Sequence, residues 1–363
     1  MQQSRMKLAD HFEPDSTVEP GLRVDAVDDA QASAWNAFVA DASDAAAYHD
    51  YRWRNIIRGV FAHETHYLAV RERGAVAGVL PLVRLKSRLF GDFLVSLPYF
   101  NYGGVLARTP AARDALLQHA AQLGRSLGVS HVELRHCASH GLSWPARADK
   151  VSMLLQLPDT AEALLKSLPA KLRSQVKRPV REGAEPVFGG RELLDEFYAV
   201  FAENMRDLGT PVYSKRFFAA ILAAFPAQAT LAVVRLRGAP VAGGFLLQHR
   251  GTMEIPWASS LRRVNNVSVN MYLYWRVLEF AVERGMRLFD FGRSTRDSGP
   301  YRFKKQWGAE PLQLHWHYWL ANGGEVPHIN PANPRYRLAV AAWQKLPLAL
   351  ANWLGPHVVR NLP

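Results

Sequence analysis

Residues 68–82 read LAVRERGAVAGVLPL and residues 231–247 read LAVVRLRGAPVAGGFLL, and this pair of stretches decides the fold. Each is a β-rich run, a basic turn containing a glycine (Gly74, Gly238) and a second run carrying another glycine (Gly78, Gly243). Short apolar runs on either side of a glycine-containing turn predict a β-hairpin. Pro240 reads as a one-residue insertion in the second copy, and its missing N–H suits a turn margin.

The likeness continues downstream. Residues 113–127 (RDALLQHAAQLGRSL) set Leu116, Leu117, Ala120, Leu123 and Leu127 at helical spacing; Gly128 stops the helix and VSHVELRH follows as a strand. In the second half Val269, Leu273, Val277 and Ala281 recur every four residues, Gly285 ends the helix, and MRLFDFG follows as a strand. Hairpin, helix and strand in one order, twice, predict a duplicated unit of the α/β class with mixed sheets. Between the copies, Leu194, Phe197, Tyr198, Phe201, Met205 and Leu208 form one apolar helical stripe, and Phe217, Phe218, Ile221 and Leu222 a second. The basic stretch 164–181 (LLKSLPAKLRSQVKRPVR) predicts a helix broken near Pro179, either a solvated face or an edge for a polyanion.

This divides the chain into a polar arm (1–21), a first unit (22–157), a second unit carrying the site (158–322) and a tail with an apolar segment (323–363). In that tail Trp343, Leu348, Leu350, Trp353 and Leu354, with flanking Arg335, Arg337, Lys345 and Arg360, either pack on the body or form a peripheral membrane contact. Pro347 limits a continuous helix there.

At 363 residues the chain suits two domains, and 48% hydrophobic with 21% charged residues is a soluble, globular balance. No run approaches the ~20 apolar residues of a membrane span. The first twenty residues carry acids and prolines where a secretory signal has an apolar core. Cys137 is the single cysteine, which excludes an intrachain disulfide and a cysteine-built zinc site. The expected compartment is the cytoplasm, with the inner-membrane surface as an alternative. A net charge of +12 makes tRNA, a nucleotide-linked sugar, coenzyme A or an anionic membrane face eligible partners.

Chemistry concentrates in residues 290–308 (DFGRSTRDSGPYRFKKQWG), read as a loop that begins where a buried strand ends. Ligand sites of open α/β sheets lie beyond the carboxyl ends of strands. Asp290, between Phe289 and Phe291, is expected to be enclosed and paired with Arg293, Arg296 or Arg302. Lys304, between Phe303 and Trp307, suits a water-poor pocket where a cation steadies the oxyanion of acyl transfer. No nucleophile elbow, phosphate loop, dinucleotide fingerprint or metal-spaced histidine pair is present. His315 and His317, alternating with Trp316 on a predicted strand, read as structural.

At these residues the sequence resembles the FemAB/FemX family of acyl and aminoacyl transferases, and more closely the branch associated with PEP-CTERM and exosortase systems. The resemblance runs from about Ala47 to the C-terminus. It is carried by YHDYRWRNII, VAGVLPLV, SLPYFNYGG, AENMRDLGTPVYSKRFF, EIPWASSLRRVNNVSVNMYLYW, FDFGRSTRDSG and YRFKKQWGAEP. It implies two tandem GNAT-like (acyl-CoA N-acyltransferase-like) domains and transfer of an acyl group to an amine. The donor would be aminoacyl-tRNA or an acyl thioester such as acyl-CoA, with no tightly bound cofactor. The acceptor would be a small molecule, glycan or peptide amine of cell-envelope or exopolysaccharide biosynthesis. The family's functional Phe-Lys pair falls on Phe303 and Lys304. Asp290 joins them as a catalytic candidate, with Arg293, Arg302, Tyr301, Asn204, Arg206, Tyr213 and Trp257 on the substrate. The loop 259–268 lies where acetyltransferases hold pyrophosphate at a helix N-terminus. Arg262, Arg263, Asn266 and Ser268 are its candidates, although it lacks a glycine pair. A second reading stays open: a non-catalytic module that holds tRNA or a glycan precursor for a partner.

Overall fold

The computed structural model describes residues 21–327 and 334–362. The polar arm apart from Gly21, and residues 328–333 of the Pro/Asn-rich stretch, lie outside the described residues.

The first part runs β1 (Leu22–Ala26), α1 (Ala32–Asp41), α2 (Arg52–Phe61), β2 (Glu64–Glu72), β3 (Ala75–Ser87), β4 (Gly91–Val95), β5 (Leu106–Ala107), α3 (Pro110–Leu127), β6 (His131–His136) and β7 (Ala146–Arg147). The second runs β8 (Lys150–Gln156), α4 (Ala161–Ser167), α5 (Ala170–Arg181), β9 (Ala184–Gly189), α6 (Leu194–Leu208), α7 (Lys215–Ala224), β10 (Ala229–Leu236), β11 (Ala239–His249), β12 (Thr252–Ser260), α8 (Val269–Glu283), β13 (Leu288–Thr295), α9 (Gly299–Lys305), β14 (Glu310–Gln313) and β15 (His315–Leu320). Helices α10 (Pro334–Gln344) and α11 (Leu348–Val359) follow.

Both predicted hairpins form, β2–β3 and β10–β11. Their loops are two residues long, Arg73-Gly74 (φ 49° and 87°) and Arg237-Gly238 (φ 54° and 81°). Positive φ at both central positions is the turn whose twist matches the flanking strands. Each hairpin shifts register at the same place, after Val70 in one and after Val234 in the other. Arg71 pairs with Val76 as Arg235 pairs with Pro240, so Pro240 occupies the place of Val76 and is not an insertion. The bulge accommodates a residue without an N–H.

Downstream, each copy adds a third strand, a helix and a strand that returns parallel to the third: β4, α3, β6 and β12, α8, β13. Thr109 caps α3 by accepting the Ala112 N–H, and Gly128 (φ 67°) ends it. Two seven-stranded paths result, ordered β1-β2-β3-β4-β6-β15-β7 and β14-β8-β13-β12-β11-β10-β9, with β5 added to β3 in the first.

Sheet membership divides the chain differently from the 22–157 and 158–322 partition. The place beside β6 is filled by β15, and the place beside β13 by β8. Each sheet therefore borrows a strand that sequence order assigns to the other. The basic stretch also differs from expectation. It is two helices parted at Leu168-Pro169, because Pro169 disfavours helical backbone at the residue before it; Pro179 sits inside the last turn of α5.

Apolar faces of α4, α5 and α8 cover the second sheet, and α3 covers the first. A third core, rich in aromatics, joins α2, α6 and α7 across the two parts, with Trp53, Phe100, Phe197, Phe217, Phe218 and Phe245 fully buried. The tail packs on α6: Ala351, Gly355 and Val359 of α11 are buried, while Leu338 and Trp353 are exposed. No described helix is long and apolar enough to cross a membrane.

Candidate active site

Parallel strands β12 and β13 pair only from Thr252↔Leu288 to Glu254↔Asp290. Beyond that point β12 continues to Ser260 and β13 to Thr295 without pairing to each other. The strands splay, and a groove opens where they part. Its inner part, about 330 Å³, is lined by Ala258, Ser259 and Ser260 of β12, Asn204 of α6, Asn270 and Tyr274 of α8, and Gly299, Pro300, Phe303 and Lys304 of α9. Its outer part, about 480 Å³, reaches the start of α8 and adds Gln175, Leu208, Arg262, Asn265, Ser268 and Met271.

The equivalent splay in the first sheet is closed. After β4 the chain stays attached to β6: the Ser96 N–H donates to Glu133 O and the Gly104 N–H to Arg135 O. The Arg135 guanidinium donates to Phe100 O at 2.6 Å. A Cβ on Gly104 would stand 2.2 Å from the His136 ring, so only glycine admits this close approach. The plugging segment, FNYGG, then reaches the second sheet. The Tyr102 hydroxyl donates to Asp290 Oδ2 at 2.5 Å, and Asn101 faces Glu254.

Residues 290–308 are thus not one loop. Strand β13 continues to Thr295, and Phe303 and Lys304 lie on helix α9. Ser298 caps that helix by accepting the Tyr301 N–H, and Pro300 in its first turn needs no donor there. This helix inserts Lys304, 8% exposed, behind the groove wall. Its Nζ donates to Gly292 O and to Arg293 O, each at 2.9 Å. An ammonium has three N–H groups, so one remains for the groove that Lys304 lines. Burial pulls its pKa down to about 8, with Asp290 opposing the fall.

Asp290 is 3% exposed, as its neighbours imply, but none of the expected arginines pairs with it. It accepts from Tyr102, from Ser152 Oγ at 2.7 Å and from the Gly292 N–H at 2.7 Å. Gly292, at φ 76°, turns the strand so that its N–H points back to the carboxylate. Beside it Glu254, 6% exposed, accepts from the Tyr48 hydroxyl at 2.7 Å. Both carboxyl pKa values are raised, first by burial, and Asp290 adds to the rise at Glu254. Two adjacent buried carboxylates do not both ionise readily. Asp290, with three close donors, is the better placed of the two to hold the charge.

The groove gathers Lys304, Phe303, Asn204, Arg262 and Ser268 from the expected residues. Asn204 donates to Ser259 Oγ at 3.0 Å. The others separate. Arg206, two residues on and across the helix, turns to Asp207 and the Leu346 carbonyl in the tail. Tyr301 is core, and Arg302 projects into solvent away from the groove. Arg263 pairs with Glu203, and exposed Asn266 yields its place to Asn265. Trp257 packs edge-on against Phe218 and Phe245 in the aromatic core. Tyr213 and Arg293 lie outside the groove, on the side facing the first sheet. Sequence reasoning missed Ser260, Asn270, Tyr274 and Glu254. A lone carboxylate in the apolar run of β12 was the available signal for Glu254.

His317 is buried with its Nδ1 3.0 Å from His136 Nδ1. His136 Nε2 accepts the Val105 N–H, so its proton sits on Nδ1 and His317 is the acceptor. Burial lowers both pKa values and keeps the pair neutral, a strand-to-strand tie.

Residues 170–305 match the model of the acetyltransferase (GNAT) domain. Comparison with curated proteins gave no match. Among solved structures the chain is similar to FemX, with a TM-score of 0.63 at 14% identity over 88% of this chain and 100% of that one. L-PGS from Bacillus licheniformis superposes with a TM-score of 0.56 at 12% identity, covering 91% and 100%. A tandem GNAT protein from the clavulanic acid biosynthesis pathway gives 0.51 at 14% identity, covering 84% and 100%. The protein is an α/β protein of two tandem GNAT-like domains with mixed sheets. Its second half, from α5 to α9, carries the acetyltransferase (GNAT) domain match and the open groove.

Proposed function

We propose that this protein is a FemAB-like acyl or aminoacyl transferase that moves an acyl group from an activated ester or thioester to an amine. Lys304 carries the reading. It is a buried ammonium with two protons committed to backbone carbonyls and the third left for the groove. When the amine attacks the donor carbonyl, negative charge collects on the carbonyl oxygen, and a fixed cation in a dry site stabilises it. The N–C bond forms as the C–O or C–S bond breaks. The amine proton leaves with the oxygen or sulfur, or to solvent.

The donor enters from the outer groove. Ser268, at φ 64°, precedes α8 and makes no side-chain cap, which leaves the first N–H groups of the helix open beside Arg262. A left-handed serine takes the turn conformation usually given to glycine. Phosphates of coenzyme A or the 3′ end of aminoacyl-tRNA both suit this end. The likeness to FemX and L-PGS supports the reading, and we extend it to an amine of envelope or exopolysaccharide biosynthesis in an exosortase-type system, handled at the cytoplasmic face of the inner membrane.

The deciding experiment offers acyl-CoA and aminoacyl-tRNA with a panel of amines and reads products by mass spectrometry. Wild type should transfer from one donor class, and Lys304→Met should lose about 10²–10³-fold in rate with its thermal unfolding midpoint kept. Full activity in that variant removes Lys304 from the mechanism. Salt-dependent RNA binding with no transfer from any donor favours the non-catalytic module.

A further inference from the structure

Arg293 stands on the far side of Lys304 from the groove. Its carbonyl receives the Lys304 ammonium at 2.9 Å, whereas its side chain reaches across to the first sheet. There the guanidinium lies 5.3 Å from the centre of the Trp316 ring on the borrowed strand β15. The same ring carries Arg135, at 4.4 Å. The two arginines are in opposite states. Arg135 is 1% exposed and committed to the protein, with Nε on Glu133 at 2.7 Å and Nη1 on the Phe100 carbonyl. Glu133 is held in turn by the Tyr318 hydroxyl at 2.9 Å. Arg293 is exposed and has neither an ion pair nor a side-chain hydrogen bond among the described residues.

A guanidinium held over an indole keeps N–H groups free for a planar or tetrahedral anion. Arg135 beside it repels a cation and adds to the attraction for an anion, because Glu133 neutralises it only locally. Tyr213, next to Arg293, packs on Tyr99 and Trp257 and gives this face an aromatic wall. The acyl donor fills the groove on one side of Lys304, so the second substrate must approach from the other. Arg293 is a cation on that side with no ion pair among the described residues.

We propose that Arg293, positioned by Trp316, binds an oxyanion of the amine acceptor, either a phosphate or a carboxylate, and so selects anionic amines. The proposal rests on the acyl-transfer reading for the word acceptor, but anion binding at Arg293 is testable without turnover.

The experiment titrates the full chain, with its tryptophan indoles labelled with ¹⁵N, using inorganic phosphate in one series and acetate in another at constant ionic strength. Trp316→Phe assigns the Trp316 indole resonance. A saturable shift of that resonance with one anion, lost in Arg293→Gln and retained in Arg262→Gln, is the expected result, and the anion that saturates names the source. Arg293→Lys, which keeps the charge without the fork, should weaken binding by about tenfold. A shift that grows linearly with both anions, or that survives Arg293→Gln, overturns the proposal. If transfer then fails with every donor while the anion site titrates as described, the acyl-transfer reading falls and the site stands.

Discussion

At the scale of single residues, the decisive quantity is the charge on Lys304. Its pKa of about 8 lies below the usual lysine value because burial penalises the cation, and the cation is therefore present below that pH and lost as pH rises through it. If the cation stabilises the transition state, the rate should fall along a limb centred near pH 8. Asp290 opposes the fall in pKa most, and Glu254 opposes it less. Asp290→Asn should move that limb to lower pH by about one pH unit, whereas Glu254→Gln, which removes the smaller of the two influences, should move it less. A pH–rate profile of the two variants checks this, and equal shifts would mean that the carboxyls share the charge. Of this cluster, Lys304 and Asp290 were legible from their aromatic neighbours. The partners were not: Tyr48 reaches Glu254 from 206 residues away in sequence, and Tyr102 and Ser152 reach Asp290 from 188 and 138, by tertiary contact alone.

At the scale of elements, glycines set how closely the helices approach. A Cβ on Gly355 would stand 2.8 Å from the Val212 backbone nitrogen and 2.9 Å from its oxygen, neither of which can move aside. Gly355→Ala should therefore unseat α11 at a cost of about 1–3 kcal/mol. Limited trypsin digestion should then cut faster after Lys345, between α10 and α11, while the body stays intact; unchanged cleavage would show that the tail adapts. Docking of α11 matters to the site because the Arg360 carbonyl accepts the Tyr99 hydroxyl at 2.8 Å, and Tyr99 supports Tyr213. The helix periods, the two hairpins and the glycine stops were all readable, because local spacing and turn chemistry fix them. Helix α9 was missed: seven residues are too few to show a period, and only the Ser298-Gly299-Pro300 start betrays it.

At the scale of the molecule, the exchange of β8 and β15 makes the two sheets dependent on one another. Residues 21–149 expressed alone would present β6 without β15, an open edge beside Val132 and Leu134, which are fully buried in the whole chain. That fragment should aggregate or remain unfolded by circular dichroism, and a soluble, cooperatively folding fragment would show that the borrowed strand is dispensable.

The duplication, the order of hairpin, helix and strand in each copy, and the Phe303-Lys304 pair were determined by the sequence, since each is written in neighbours a few residues apart. Three features were decided only by tertiary structure. The first is that the FNYGG segment plugs one splay and walls the other, which depends on a glycine meeting the His136 ring. The second is that β8 and β15 cross between sheets, because strand order is set by long-range pairing and a strand's own residues do not name its neighbour. The third is which of five neighbouring cations reaches the groove. Arg293, Arg296, Arg302, Lys304 and Lys305 look alike along the chain, and only burial and direction separate them: Lys304 is enclosed at the groove, Arg293 lies over Trp316, Arg296 bonds Gln313, and Arg302 and Lys305 face solvent.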